Sequence, residues 1–283
     1  MAIITISRGC CSRGQIIARK VAERLGYTCQ DREILVDASN LFDVSEKKLL
    51  KSLHDAPSIL ERLKGGKQKY LKMIQSVLLV HATEDNLVYS GHAGHLLLPD
   101  VQHLLKVRIN VDLEERVCFL QDHEKLTRQK ALDFIRSEDH QRENWTRYLY
   151  NADLNDPSLY DMVLHIGHLT LDDMVELISW TVQQKSFETT EHSQQTIEDY
   201  AVKAQAELAL QDICESEVTV NEGFVAIRVL GLRIKKTEFI TPKLQSHLDL
   251  TYRDELQQEI KEVINEIPGV KGITCDIEHL HYV

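Results

Sequence analysis

Two glycines near the beginning of the sequence could form a phosphate-binding loop. Gly9 and Gly14 have the spacing of the motif G-x-x-x-x-G-K-[ST]. Such a loop binds an anion because successive backbone N–H groups and the N-terminus of a helix point at one place. The chain has 12 glycines in 283 residues, so a pair at this spacing also arises by chance. The motif alone leaves two interpretations open, a phosphate-binding loop and an ordinary strand–turn–helix.

The side chains around this turn match only part of the motif. Arg8, Ser12 and Arg13 offer polar and cationic groups. Gln15 replaces the lysine that neutralises the β- and γ-phosphates, and Ile16 replaces the hydroxyl residue that helps to hold Mg²⁺. A neutral amide still donates hydrogen bonds to phosphate, but it stabilises developing negative charge less than a cation does. The glycines that shape the backbone of the motif are therefore retained, while its lysine and its hydroxyl residue are absent.

The hydrophobic pattern predicts an α/β domain that positions this turn. A short apolar strand precedes the turn, and an amphipathic helix follows it. Strands then alternate with helices, which favours a parallel sheet with helices on both faces. We expect strands over 2–7, 87–90, 103–111 and 162–167, and helices over 15–25, 32–39, 45–52, 70–83, 112–124 and 169–184. The charged segment 125–150 is expected to form one helix or a helix pair.

A polar, acidic stretch separates this domain from a second, smaller one. We expect a first domain over 1–185, a linker over 186–195 and a second domain over 196–283. The pattern beyond the linker predicts the order helix, strand, strand, helix, strand, which is a small α+β sandwich. The two strands are separated by Asn221, Glu222 and Gly223.

Composition and charge exclude several function classes. The net charge of −11 argues against nucleic acid as a partner, because no basic surplus exists to displace counterions. No apolar run has the length that spans a bilayer. The six cysteines are scattered without a C-x-x-C pair, so we expect reduced thiols in a cytoplasm. Histidines without a neighbouring cysteine or glutamate motif predict no metal centre, and the oligomeric state is left open.

Several segments, in one order over residues 2–183, resemble those of the cytidylate-kinase-like family. The first is the strand, loop and helix of ITISRGCCSRGQIIARKVAERLGY, followed by CQDREIL, LVYSGHAGHLLL and VRINVDLEERV. The last is IRSEDHQRENWTRYLYNADLNDPSLYDMVLHIGHL. Together they are more specific than any one motif. The resemblance implies a P-loop NTPase-like fold of the nucleoside monophosphate kinase type, with ATP and Mg²⁺ as cofactors and phosphoryl transfer to CMP or a related acceptor.

The resemblance also assigns site residues by position. In the order of the chain, those around the donor phosphates are Arg8, Gly9, Ser12, Arg13, Gly14 and Gln15. On the acceptor side are Asp31 and His92, and in a catalytic lid helix are Arg136, Asp139 and Arg142. The three lid residues are three apart, so they share roughly one helical face. Taken without the resemblance, the same helix also fits a solvated face with intrahelical ion pairs.

The chain departs from the family pattern at positions that carry chemistry. Cys11 and Arg13 replace glycines of the loop, and His92 replaces an arginine. Ile16 in place of the loop hydroxyl argues against Mg²⁺ at that position. Two functions therefore stay open: a working nucleotide kinase, or a catalytically weak or inactive pseudokinase that senses nucleotides or binds partners.

The C-terminal segment has a resemblance of its own. EVTVNEGFVAIRVLG and VINEIPGVKGITCDIEHL look like the strand–turn–strand and the helix–turn–strand of a BON domain. The resemblance implies binding of a lipid or protein partner. A catalytic constellation is not visible in this segment.

Overall fold

The structure, a computed structural model, describes residues 2–31, 33–54, 66–91, 93–98, 101–232 and 242–277. The chain divides into two compact units, Met1–Ser193 and Gln194–Val283. No helix in these described ranges is long and apolar enough to cross a membrane.

The first unit contains one parallel sheet of five strands. In chain order they are β1 Ile3–Arg8, β2 Thr28–Gln30, β3 Leu87–Tyr89, β4 Leu104–Val111 and β5 Met162–Ile166. The spatial order is β2-β3-β1-β4-β5, so β1 lies in the middle of the sheet. This confirms the predicted parallel α/β fold. The three-residue edge strand β2 was not predicted from the sequence.

The helices of this unit follow the strands, as the alternation predicts. They are α1 Gly14–Leu25, α2 Glu33–Phe42, α3 Glu46–His54, α4 Gly66–Thr83, α5 Gly94–Leu97, α6 Leu113–Glu124, α7 Arg128–Tyr150 and α8 Leu171–Val182.

Both faces of the central strand are covered. Ile4 and Ile6 join a core with apolar residues of α1 and α8. Ile3, which points to the opposite face, is also fully buried. Burial on both faces explains why β1 reads as a continuous apolar run and not as an alternating one. This burial also fixes the direction in which the chain leaves the end of β1 and enters the loop.

The second unit has the predicted order of helix, strand, strand, helix and strand. Its elements are α9 Glu191–Leu210, β6 Cys214–Asn221, β7 Phe224–Leu232, α10 Pro242–Asn265 and β8 Gly272–Ile277. Strands β6 and β7 form an antiparallel hairpin, and β7 pairs with β8 in parallel. The hairpin turn uses Glu222 and Gly223, both with positive φ, which matches the twist of the strands.

The segment predicted as a linker over 186–195 is partly helical. A 3₁₀ turn covers Lys185–Phe187, and α9 begins at Glu191. Its start is stabilised by a reciprocal pair of hydrogen bonds between Thr190 and Ser193, from each backbone N–H to the other hydroxyl. Polar composition indicated a linker, but the same hydroxyl residues cap a helix.

Candidate nucleotide site

The loop between β1 and α1 has a backbone that suits glycine better than its actual residues. Cys11 and Arg13 both lie in the left-handed region, with φ of 57° and 53°. Each is a position where the family pattern has a small residue, and a side chain there costs about 1 kcal/mol or more. Gly14 is needed for a different reason. A Cβ on this residue would lie 2.6 Å from Cδ of Arg8, so glycine lets Arg8 cross the helix start.

The side chain of Ser12 is buried within this loop. It is 1% exposed, and its hydroxyl has no hydrogen-bond partner in the described part of the chain. A buried hydroxyl without a partner costs free energy that folding alone does not recover. Ser12 lines a cavity, so a ligand can supply the missing partner.

The cavity has a volume of about 240 Å³ and lies at the carboxyl ends of β1 and β4. In parallel α/β sheets, ligands bind outside this edge. Four guanidinium groups and two carboxylates contribute to its walls, so cations dominate. Its charged lining residues are Arg8, Arg108, Arg116, Arg142, Asp139 and Glu143.

Arg116, on α6, is the most constrained of these cations. Its Nη1 and Nη2 donate to the two oxygens of Asp139 at 2.8 and 2.7 Å, and its Nε donates to the carbonyl of Cys10 at 2.9 Å. Gly9 permits this approach, since a Cβ there would lie 3.4 Å from the guanidinium carbon. Burial lowers the pKa of Arg116, but Asp139 and the sulfur of Cys10 outweigh it and raise the pKa overall. Arg116 is therefore a fixed positive charge under the loop.

Arg142 connects helix α7 to the loop. Its Nη1 donates to the backbone carbonyl of Arg8 at 2.9 Å, and an oxygen of Glu138 lies 4.0 Å from its Nη2. Its Nε is buried and, among the described residues, makes no hydrogen bond. A guanidinium N–H without a partner beside a cavity can donate a hydrogen bond to a phosphate oxygen.

The structure brings Asp139 and Arg142 to the cavity but leaves Arg136 exposed on α7. Residues six apart are turned by about 120° around a helix, so a three-residue spacing drifts off one face. Arg13 is also exposed and does not line the cavity. The roles predicted for Arg136 and Arg13 stay predictions.

The predicted acceptor residue Asp31 lies directly beside the loop. Nε2 of Gln15 donates to its carboxylate at 2.7 Å, and Nη2 of Arg8 lies 3.5 Å from the same oxygen. Nε of Arg8 also donates to the hydroxyl of Ser90 at 3.3 Å. Gln15 is therefore held toward the acceptor side. His92, the second predicted acceptor residue, lies outside the described residues.

Two of the four arginines that line the cavity were not predicted from the sequence. Arg108 is on β4, where its Nη1 donates to the hydroxyl of Ser7 and its Nε to Asn110. Arg116 stands in the quoted segment VRINVDLEERV, four residues after the predicted helix start Asp112. Strand β4 carries two cations, Lys106 and Arg108, among apolar residues. They were the available signal, because a charge that is partly buried in a sheet requires a partner.

The two adjacent thiols of the loop share one proton. A hydrogen bond from Cys11 lowers the pKa of Cys10 to about 7, helped by the charge of Arg116 and opposed by burial and Asp139. The same hydrogen bond raises the pKa of Cys11, together with burial. At neutral pH the proton is held by Cys11, and Cys10 ionises readily.

This thiol pair predicts a pH dependence of folding. Cys10 ordinarily ionises near 9.0, so its depressed pKa stabilises the folded state fully above pH 9 and progressively less as the pH falls to about 7. The raised pKa of Cys11 has the opposite sign, and its stabilisation is lost above pH 9. We expect the free energy of unfolding of the native chain to rise between pH 7 and 9 relative to a double serine variant at positions 10 and 11. Urea titrations of both proteins measure the difference, and a flat difference contradicts the shared proton.

Ser12→Ala tests whether the unpartnered hydroxyl is a ligand group. We expect unchanged or slightly higher stability without ligand, because a buried polar group without a partner is removed. ATP binding should weaken by roughly tenfold, the value of one hydrogen bond to a charged group. Ser76→Ala is the matched control, since Ser76 is equally buried and also without a partner but does not line the cavity. Calorimetry of ATP binding and thermal melts separate the two effects, and equal affinities in both variants contradict the assignment.

A parallel sheet with β1 at its centre and a glycine-flanked loop into α1 define the class of P-loop kinase folds. The sequence model of the cytidylate kinase-like family matches residues 3–168, and the chain belongs to this family. The match lies within the first unit.

Two cytidylate kinases are similar to this chain in sequence, and one solved structure is similar to it in fold. A cytidylate kinase of Sulfurisphaera tokodaii is 27% identical over 151 residues, which is 50% of this chain and 77% of the relative. A cytidylate kinase of Pyrobaculum islandicum is 25% identical over 107 residues, 38% of this chain and 57% of the relative. The chain thus spans little more than half the length of the second relative. The fold is shared with an uncharacterized protein from Eubacterium ventriosum, at a TM-score of 0.51 and 20% identity over 64% of this chain and 97% of that one.

The residues present fit phosphate better than they fit a magnesium ion. Ser12, Arg116 and Arg142 offer donors to an anion. Ile16, at the position of the metal-binding hydroxyl, is 44% exposed and has no oxygen in its side chain. The described residues contain no group of three or more histidine, cysteine or acidic side chains that could hold a metal ion. We therefore derive no step through Mg²⁺.

Proposed function

We propose that the chain is an ATP-dependent nucleotide kinase that transfers the γ-phosphoryl group to CMP or a related nucleoside monophosphate. The observation that carries the proposal is the buried hydroxyl of Ser12, which has no partner among the described residues. It lies in a cavity with four guanidinium groups at the carboxyl end of β1. Family membership and the two cytidylate kinase relatives support the same reaction class.

The chain's own residues divide the work between binding and charge stabilisation. The loop from Gly9 to Gly14 and the N-terminus of α1 hold the donor phosphates. ATP supplies the phosphoryl group. Arg116 and Arg142 stabilise the negative charge that spreads over the equatorial oxygens during transfer. Asp31, held by Gln15 and Arg8, orients the acceptor.

A second function, a nucleotide-sensing pseudokinase, is favoured by one specific arrangement. Gln15 replaces the loop lysine, and its side chain donates a hydrogen bond to Asp31. This position therefore places no positive charge beside the phosphates. Asp139 also neutralises Arg116 in the absence of ligand. Such a site binds a nucleotide with reduced turnover, and the second unit would report the bound state.

Turnover assays on the full chain distinguish these functions. Purified protein with ATP, Mg²⁺ and each nucleoside monophosphate should form the matching diphosphate, with the highest kcat/KM for the true acceptor. Diphosphate formation at background rates for every acceptor excludes the kinase. ATP binding by calorimetry in the same preparation then supports the sensor, and the absence of binding excludes both.

For the second unit, we propose a BON-like module that binds a lipid or protein partner. The supporting detail is the turn at Gly269, whose carbonyl oxygen would lie 2.6 Å from a Cβ on Gly223, while Lys271 N–H donates to the Gly223 carbonyl. This close approach ties the helix–turn–strand segment to the hairpin turn. Flotation of the full chain with anionic vesicles tests the lipid partner.

The free state of all six cysteines supports a reducing compartment, such as a cytoplasm, as the place of action.

A further inference from the structure

The phosphate loop contains a pair of adjacent thiols that the proposed phosphoryl transfer does not use. The sulfur of Cys10 accepts a hydrogen bond from Nη2 of Arg116 at 2.9 Å, and Oδ1 of Asp139 lies 3.9 Å from it. Cys11 follows in a left-handed backbone conformation and is half-buried, and its interaction with the same sulfur lowers the pKa of Cys10. The charged groups that face the two thiols are therefore one guanidinium and one carboxylate, and the charge of Arg142 also acts on Cys11.

We propose that Cys10 and Cys11 form a peroxide-sensitive switch, in which Cys10 is the reacting thiolate, Cys11 is the resolving thiol and the product is a disulfide between adjacent residues. Reactive cysteines lie in electropositive surroundings, because a nearby cation stabilises the thiolate. Arg116 supplies that cation by direct contact with the sulfur.

The chemistry needs one oxidant, hydrogen peroxide. The Cys10 thiolate attacks the peroxide, so that an S–O bond forms, the O–O bond breaks and hydroxide leaves. The sulfur is oxidised by two electrons, and the peroxide is reduced. Cys11 then gives up its proton and attacks the Cys10 sulfur, so that the S–S bond forms, the S–O bond breaks and the departing hydroxide takes the proton as water.

The cavity gives a small oxidant a position next to the pair, although neither thiol is among its lining residues. Cys10 is mostly buried, but Gly9 and Ser12 on either side of the pair and Arg116 beneath it all line the cavity. Hydrogen peroxide is close to water in size, so it fits this space, whereas bulkier reagents are held away from the buried sulfur.

The product is easily reduced again, which suits a reversible switch. Adjacent Cα atoms are about 3.8 Å apart across a trans peptide, below the usual separation of disulfide-linked residues, which begins at about 4.4 Å. Strained disulfides have more oxidising potentials and are the labile, regulatory ones.

Closure of the disulfide changes the proposed nucleotide site, and this consequence rests on the proposed function. The Cys10 sulfur stops accepting from Arg116, and the backbone between Gly9 and Arg13 must adjust to the small ring. The loop N–H groups then converge less well on an anion. We expect ATP affinity to fall by roughly tenfold or more, the effect of losing one hydrogen bond to a charged group.

Peptide mapping after peroxide treatment tests the switch without any assay of activity. In a Cys118→Ser background, which removes an exposed thiol, the loop peptide should lose two hydrogens and resist alkylation, and dithiothreitol should restore both thiols. In a further Cys11→Ser variant, Cys10 should stop at the sulfenic acid and be trapped by dimedone. A Cys10→Ser variant should leave Cys11 unmodified. Two free thiols after peroxide, or a sulfinic acid without a bridge in the native loop, overturns the proposal.

ATP calorimetry on the oxidised and re-reduced protein then tests the consequence. Weaker binding that dithiothreitol reverses supports the switch. A mapped disulfide with unchanged ATP affinity shows that the bond forms but does not control the site, which overturns the regulatory part. A reduced protein that binds no ATP contradicts the proposed function instead, and it leaves the mapped disulfide as a separate result.

Discussion

Replacing Arg142 with alanine is expected to reduce kcat/KM for diphosphate formation by roughly 10³-fold, the lower end of the effect of a transition-state arginine. The guanidinium stands between the loop and the cavity. One of its nitrogens donates to the Arg8 carbonyl, and another is buried and has no partner in the described part of the chain. A bound phosphoryl group would accept a hydrogen bond from that N–H, and the positive charge of the guanidinium would stabilise the negative charge of the phosphoryl group. Because the contact strengthens as charge develops, the loss should fall mainly on kcat and less on KM. Steady-state kinetics with ATP and the preferred acceptor measure both values.

Two other arginines on the same helix make this experiment specific. Arg147→Ala removes an exposed cation near the end of α7 and should leave both kinetic constants within about twofold, as distant surface charges are screened. Arg136→Ala tests the catalytic role that the family resemblance assigns to Arg136, whose side chain is exposed and outside the cavity lining. Thermal melts of all three variants separate misfolding from lost catalysis. Equal losses in the Arg142 and Arg147 variants contradict the role proposed for Arg142.

The local part of the site could be predicted because it is written in consecutive residues. The apolar run before Gly9, the glycine spacing and the amphipathic helix after Gly14 together predict a strand, a loop and a helix start. Strand β1 and helix α1 follow this pattern. The parallel sheet was predictable for a related reason, since alternating strands and helices have few ways to bury their apolar faces.

The distant part of the site could not be predicted from such patterns. Arg116 reaches the Cys10 carbonyl across 106 positions of sequence, and its partner Asp139 lies on another helix. No periodicity encodes which charged residue of an amphipathic helix turns inward at a sheet edge. Spacing even misleads on α7, where three residues three apart were expected on one face and Arg136 lies off it. Strand β2, with three residues, is too short to give an alternating signal.

Restoring the two missing side chains of the loop is expected to increase phosphoryl transfer. In the double variant Gln15→Lys with Ile16→Thr, kcat should rise by roughly 10²-fold, because a positioned cation stabilises charge that develops in the transition state. The hydroxyl of the new threonine stands where a P-loop holds its metal ion. Gln15 now donates to Asp31 at 2.7 Å, so the new lysine can also pair with that carboxylate. Arg8 already lies 3.5 Å from the same oxygen, which leaves the lysine free to exchange toward a bound phosphate.

The matched control for this variant is Gln15→Met with Ile16→Val, which keeps similar side-chain volumes and adds neither charge nor hydroxyl. Diphosphate formation in the native chain, the double variant and this control forms one series. A rise only in the lysine–threonine variant shows that the loop side chains limit a competent site. Turnover in the native chain without any rise contradicts the prediction, and it assigns the cationic role to Arg116 and Arg142, which approach the loop from α6 and α7. ATP binding without turnover in all three proteins contradicts it too and favours the sensor, because the backbone cradle would then serve binding alone.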